Sequence, residues 1–484
     1  MSAIDGQDKI GTLMKGRAGS ELVVENVRPI EAEVTARESR GSHGLAFAGL
    51  FLFTLLLYAR PNELFPEIFG TFPFVKIIAI ATLLAYAASK ITSGERLTIW
   101  PTELKMVAAI TLLGVIFIPI ASAPQESIDV LLDTFLKVIA IFVLMINLIE
   151  TRDRLWLLWK LVVVCGAGLS LMALTNYLQG NFAVKYQGTG YRIRIGGPEG
   201  FFGNPNDLAI IFVMLIPLAV ALALMSSGMK RVIYFASAAL LTTGVVVTFS
   251  RGGFLGLVAT GAVLLWKTGR GNRPLSLVAA AMVLGIFVAM SPGSYANRII
   301  SIFDSSLDTT GSGEERRELL ERAFEIASAR PVLGVGMGNY HIYSHREQHA
   351  HNSYLEISAE LGVAGLIAFL ILIFAPLRSL RRIERESAGS LFSSSFAGRK
   401  RENYFLSVTL QAAIIGFCVC AFFASVQYLW FLYFLVAYAI SLRRIIAFER
   451  DGSAEKNVTP GHGEQRAEGV LWQERRQPAL RVEG

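Results

Sequence analysis

Long apolar runs separated by short polar breaks dominate the chain between Leu45 and Ala447. Runs of about 16–22 residues are long enough to cross a bilayer as helices. About twelve are seen, over residues 45–59, 74–89, 104–123, 128–149, 155–179, 207–225, 232–250, 252–267, 275–291, 353–375, 405–424 and 426–447. The pattern predicts an all-α polytopic membrane protein. Residues 45–291 hold the first nine spans and 353–447 the last three, with a large extracytoplasmic loop at 292–352. Residues 1–44 and 448–484 read as polar, flexible tails.

Composition agrees. The chain is 53% hydrophobic and 17% charged, against about 25% charged in soluble domains. Residues 1–44 lack the short basic segment, apolar core and cleavage site of a signal peptide, so the first apolar run is expected to direct insertion. With that tail inside, Lys90, Arg96, Arg152, Arg154, Lys230, Arg231, Lys267, Arg270 and Arg273 fall in cytoplasmic loops. Arg378, Arg381, Arg382, Arg385, Arg399, Lys400 and Arg401 follow the same rule, whereas the short outer loops hold little beyond Arg60. Both termini are therefore expected in the cytoplasm. The net charge of +7 sits at membrane edges and does not point to nucleic acid. Cys165, Cys418 and Cys420 lie inside apolar runs, which argues against disulfides and a zinc cluster.

The candidate chemistry gathers on the predicted outer side. Residues 314–330 place Leu319, Leu320, Ala323, Phe324, Ile326 and Ala327 at helical spacing, an amphipathic helix ended by Pro331 that lies on the membrane or on the outer ends of the spans. The alternating glycines of Leu333–Tyr340 lack the strand and the Gly-Lys-Ser/Thr of a phosphate loop, and suit a turn that lets backbone approach a ligand or a helix. His341, His345 and His349 recur every four residues, a spacing that can bind metal. No cysteine or carboxylate completes a set, so solvated polar residues on a loop helix are the preferred reading of His341 and His345.

His351 precedes Asn352 and Ser353, both suited to cap the tenth span. An imidazole at that edge is either an ordinary interfacial histidine or a base that removes a hydroxyl proton. Glu356 and Glu360 follow inside the span, where carboxylates face a polar cavity or a partner. Gly362 and Gly365 would let another helix pack closely. Arg251 lies in the outer turn Ser250–Gly253, and Arg192 and Arg194 share the outer loop before Asn204 and Asn206. Arginine binds phosphate through a planar fork and keeps its charge.

His351-Asn352, nine residues, Gly362, two residues and Gly365 resemble the motif of the O-antigen ligase and polymerase superfamily of bacterial envelope proteins. Phe202–Ala209 (FGNPNDLA) and Phe249–Gly253 (FSRGG) also resemble elements of that family. The resemblance covers about 180–375 by motif and 45–447 by architecture. It implies a type C (GT-C) membrane glycosyltransferase that moves a glycan from undecaprenyl diphosphate to an acceptor hydroxyl on the periplasmic face of the inner membrane. It implies no nucleotide sugar and no metal cofactor. His351 would activate the hydroxyl, while Arg251 and Arg194, with Arg192 as the alternative to Arg194, would hold the diphosphate. Implied partners are the lipid-linked donor, a glycan or lipid acceptor, membrane lipids and other envelope glycan assembly proteins.

Polymerases of the same superfamily remain an alternative, as does a non-enzymatic transporter of lipid-linked glycan or a scaffold. Many transporters place a midplane site between two repeated halves. Here the loop divides nine spans from three, and the candidate residues lie at the surface. Lys76, Asp133, Lys137 and Lys160 are intramembrane charges, but Asp133 and Lys137 are spaced to neutralise each other.

Overall fold

The computed structural model describes residues 43–61, 67, 73–180, 204–268, 285, 312–344, 348–388 and 397–458. Among them every regular element is helical. In chain order these are α1 (Gly44–Ala59), α2 (Phe74–Thr92), α3 (Thr102–Ile116), α4 (Pro124–Asp129), α5 (Leu136–Leu148), α6 (Arg152–Leu178), α7 (Pro205–Met225), α8 (Gly228–Val247) and α9 (Arg251–Thr268). After the loop come α10 (Ser312–Ala329), the single turn α11 (Tyr340–Tyr343), α12 (Ser353–Ala388), α13 (Ala397–Ala421) and α14 (Trp430–Val458). Apart from Gly285, the expected run 275–291 lies outside the described residues, as do residues 1–42 and Arg192 and Arg194.

Seven described helices (α2, α6, α7, α8, α12, α13 and α14) are long and apolar enough to cross a membrane. The remaining described runs are helical but shorter or interrupted. The run 104–123 ends its α-helix at Ile116 and tightens into a 3-10 turn over Ile118–Ile120, because Pro119 cannot donate to a continuing helix. The run 128–149 passes through a π-helical stretch at Val130–Phe135 before α5.

Burial separates inner from outer helices. α7 is buried on all sides from Leu208 to Pro217, so it forms the centre, packed by α8, α6, α13 and α9. A helix that is apolar all round must be enclosed by others or by lipid. α6 is one-sided: Leu157, Val164, Leu171 and Leu178 are exposed at seven-residue spacing, an apolar stripe on the side away from the other helices. α12 repeats this with Val363, Ile367, Ile371 and Phe374.

α10 lies against the start of α12. Leu319, Ala323 and Ile326 are buried, the last two in a small core with Val335, Tyr340, Ala350 and Ala359, while Phe324 stays exposed. The stripe therefore faces the ends of the spans. The Tyr340 hydroxyl donates to the Leu319 carbonyl at 2.7 Å, fastening α10 to the glycine-rich loop.

Candidate functional site

Four chain segments meet at one end of the bundle: the starts of α7, α9 and α12, and the turn between α13 and α14. Asn204 caps α7 by accepting from the Asn206 N–H at 3.0 Å. The side chain of Asn206 accepts from the Ser250 hydroxyl at 2.9 Å, and that hydroxyl accepts from Gly253 N–H at 3.2 Å. The start of α9 is thus tied to the start of α7.

Arg251 opens α9 and is 8% exposed, so it is a buried cation at a helix start and not the tip of an open hairpin. The next residue explains the close packing: a Cβ on Gly252 would stand 2.6 Å from the Phe423 Cβ. Ser353, at the start of α12, donates to the Ala424 carbonyl at 2.7 Å and accepts from Val426 N–H at 2.9 Å. Gly252, next after Arg251, and Ser353, two residues after His351, thus both pack on the turn between α13 and α14.

Asn352 caps α12, its carbonyl oxygen accepting from the N–H groups of Tyr354 and Leu355 at 3.0 Å each. Ser353 is consumed by the turn and adds no cap. His351 itself has φ 51°, in the left-handed region that residues with a Cβ rarely adopt. Three described non-glycine residues share that property: Arg60, Phe249 and His351. Two of them stand beside or at the candidate site, Phe249 two residues before Arg251. Uncommon backbone of this kind persists only where surrounding contacts over-determine it.

Five residues on from His351 stands Glu356, which is 1% exposed. Its carboxylate accepts from His349 Nδ1 at 3.0 Å, from Ala350 N–H at 2.9 Å, from Gln427 Nε2 at 3.1 Å and from the Ser425 hydroxyl. Glu360, fully buried one turn on, accepts from Tyr340 N–H at 3.3 Å and from the Tyr428 hydroxyl at 2.8 Å. The sequence reading had both carboxylates facing a polar cavity or a partner, without naming one. The partners lie about 70 residues downstream, or in the loop, and no local spacing marks them.

The motif glycine also has a local cause. At Gly362 α12 breaks, with φ 65° and ψ −170°. The freed groups are taken by the glycine-rich loop: Val335 N–H donates to Ala359 O at 2.9 Å, Gly336 N–H to Glu360 O at 3.0 Å, and Val363 N–H to Pro331 O at 2.8 Å. A Cβ on Gly362 would stand 2.6 Å from the Val332 carbonyl oxygen. The close neighbour at Gly362 is therefore loop backbone and not another helix. At Gly365 the nearest atom is Leu361 Cβ of the same helix. Asn339 anchors the other side of this loop, accepting from Ala123 N–H at 2.7 Å and donating to the Ser127 hydroxyl at 2.8 Å.

The histidines do not share a helical face. α11 ends at Tyr343, and His345 lies outside the described residues. His341 is not simply solvated: Nδ1 meets Gly338 O at 2.9 Å and Nε2 meets Glu126 at 3.1 Å. Its ring is 6.0 Å from that of His349. The pKa of His349 is raised above the usual imidazole value, chiefly by its hydrogen bond to Glu356.

Residues 236–370 match the family model described as O-antigen ligase. This match supports a relation of that segment to the O-antigen ligase superfamily. The matched segment contains Arg251, the glycine-rich loop, His351 and the Gly362 break. No curated protein matches the chain. The similarity supports a link to polysaccharide biosynthesis, and the matched family suggests a ligase- or polymerase-type membrane enzyme with lipid-linked glycan substrates.

Proposed function

We propose that this chain is a glycan ligase of the O-antigen ligase type, moving a glycan from undecaprenyl diphosphate to an acceptor hydroxyl. In this reading it has twelve spans, GT-C architecture, cytoplasmic termini and a periplasmic active face in the inner membrane. The observation that carries it is the shared footing of two segments, Gly252 against Phe423 and Ser353 against Ala424. Through it a cation and an imidazole of the matched segment stand at one end of the bundle.

His351 takes the proton from the acceptor hydroxyl. The acceptor oxygen forms the new bond to the anomeric carbon as the bond to the diphosphate breaks, and the diphosphate leaves with the electron pair. Arg251 and Arg194, with Arg192 in reserve, hold that leaving group, because negative charge develops there. A positioned base contributes about 10²–10⁴-fold to such a transfer. Attack opposite the leaving group inverts the anomeric centre.

The test is genetic and chemical. The gene is deleted in its host and replaced by wild type, Arg251→Ala or His351→Ala at matched membrane expression, and the surface glycan is resolved by gel. Both variants are expected to fail like the deletion, with long glycan retained on the lipid carrier. Single repeats in place of ladders would assign a polymerase. A normal glycan in both variants would overturn the enzymatic reading in favour of a transporter or scaffold.

A further inference from the structure

We propose that Glu356 is a positioning residue for His351, acting as a clamp on the two residues that precede it. The inference rests on the proposed role of His351. One carboxylate oxygen of Glu356 holds the His349 ring at 3.0 Å and the other holds Ala350 N–H at 2.9 Å. On the far side, Asn352 is fixed as the cap of α12, and Ser353 is fixed to Ala424 and Val426. His351 lies between two anchored segments, and this holds its backbone at φ 51°. Ser425 and Gln427 add donors to the same carboxylate, so the clamp also fixes the turn on which Gly252 rests.

The clamp has one exposed member. The His349 side chain keeps 61% of its surface open, whereas Glu356 keeps 2%. The titratable groups facing His349 are Glu356 and Glu360 from α12 and Asp207 from α7, and His341 stands beside it. Each carboxylate favours the protonated imidazole when ionised, Glu356 most, through its direct hydrogen bond. The ionic part of the clamp is therefore complete below about pH 6.5, the ordinary imidazole value. It is lost as pH rises through the higher value that His349 has in the folded protein. His351, as a base, must instead be neutral, so the clamp and the base impose opposite limits on activity.

The experiment uses full-length protein in nanodiscs with lipid-linked glycan extracted from the deletion strain. His349→Ala, His349→Asn and Glu356→Gln are compared with wild type for kcat, KM and pH profile, and thermal melting shows which variants fold. His349→Ala is expected to lower kcat by about tenfold to a hundredfold, the scale of an ångström-sized misplacement, with KM changed less than about twofold. His349→Asn places an amide donor where Nδ1 was, without a titrating group. It is expected to recover much of kcat and to lose the alkaline decline of wild type. Glu356→Gln is expected to lower kcat at least as far as His349→Ala. If Glu356→Gln does not fold, the two His349 variants decide. Wild-type kcat and pH profile in His349→Ala, or a change confined to KM, would overturn the clamp. An active His351→Ala protein in the same assay would overturn the proposed function instead, so the two failures are distinct.

Discussion

At the end of the bundle away from His351, charge is neutralised by charge. Arg152 pairs with Glu449 at 2.6 Å and with Glu402 at 3.2 Å, Lys267 pairs with Glu384, and Arg443 grips the fully buried Glu103 with both nitrogens. At the His351 end the two most buried carboxylates are held mainly by neutral donors: backbone N–H groups, hydroxyls and an amide. The backbone there includes left-handed Phe249 and His351 and a broken helix at Gly362. A buried ion pair fixes two elements together but leaves no charge for a ligand. Carboxylates satisfied by neutral groups can orient backbone and imidazole instead. One end is built to join helices and the other to place side chains.

This contrast can be broken most severely at Gly362. Gly362→Ala puts a Cβ into loop carbonyls at a positive φ, and the combined strain and overpacking is expected to cost about 3 kcal/mol. Melting in detergent should show the loss, and transfer activity should disappear with it. Gly168→Ala, where nothing lies within 4 Å, is the control and should melt no lower than wild type. Arg152→Ala comes next. It leaves Glu402 without this cation and Glu449 with Arg399 at 3.5 Å, and should cost about 2 kcal/mol, discounted because both carboxylates are partly exposed. Activity per folded molecule should stay near wild type, since the loss is at the joining end. Wild-type stability with reduced kcat would reverse the assignment of the two ends. The smallest effect is expected for Asp133→Ala. Both members of its 3.2 Å pair with Lys137 are exposed on the bundle surface, and the lysine left behind must snorkel to the headgroups, so melting should lose no more than about 1 kcal/mol while activity stays near wild type.

Much of the fold was legible in the chain. The apolar runs at 74–89, 155–179, 207–225, 232–250, 353–375, 405–424 and 426–447 correspond to the seven helices able to cross a membrane. Asn352 was recognisable as a cap because a cap acts on residues two or three away. Pro331 marked the end of α10 for the same local reason. The interruptions at Pro119 and Val130–Phe135 were not foreseen, since hydropathy is insensitive to which carbonyl each N–H reaches. The His341–His345–His349 spacing misled in the other direction. A period of four is meaningful only if the helix continues, and here it stops after Tyr343.

The sequence by itself determined which segments are apolar enough to span, where several of them begin, and which cations and imidazoles could take part in chemistry. Tertiary structure alone decided that Glu356 binds His349, Ala350, Ser425 and Gln427, that the glycine-rich loop closes the break at Gly362, and that Arg251 is buried beside the turn that holds Ser353. The physical reason is the range of the interactions. Hydrophobic burial and helix capping depend on residue type and on near neighbours. A buried carboxylate must find its donors wherever the packed chain brings them, and here some lie 69 and 71 residues away.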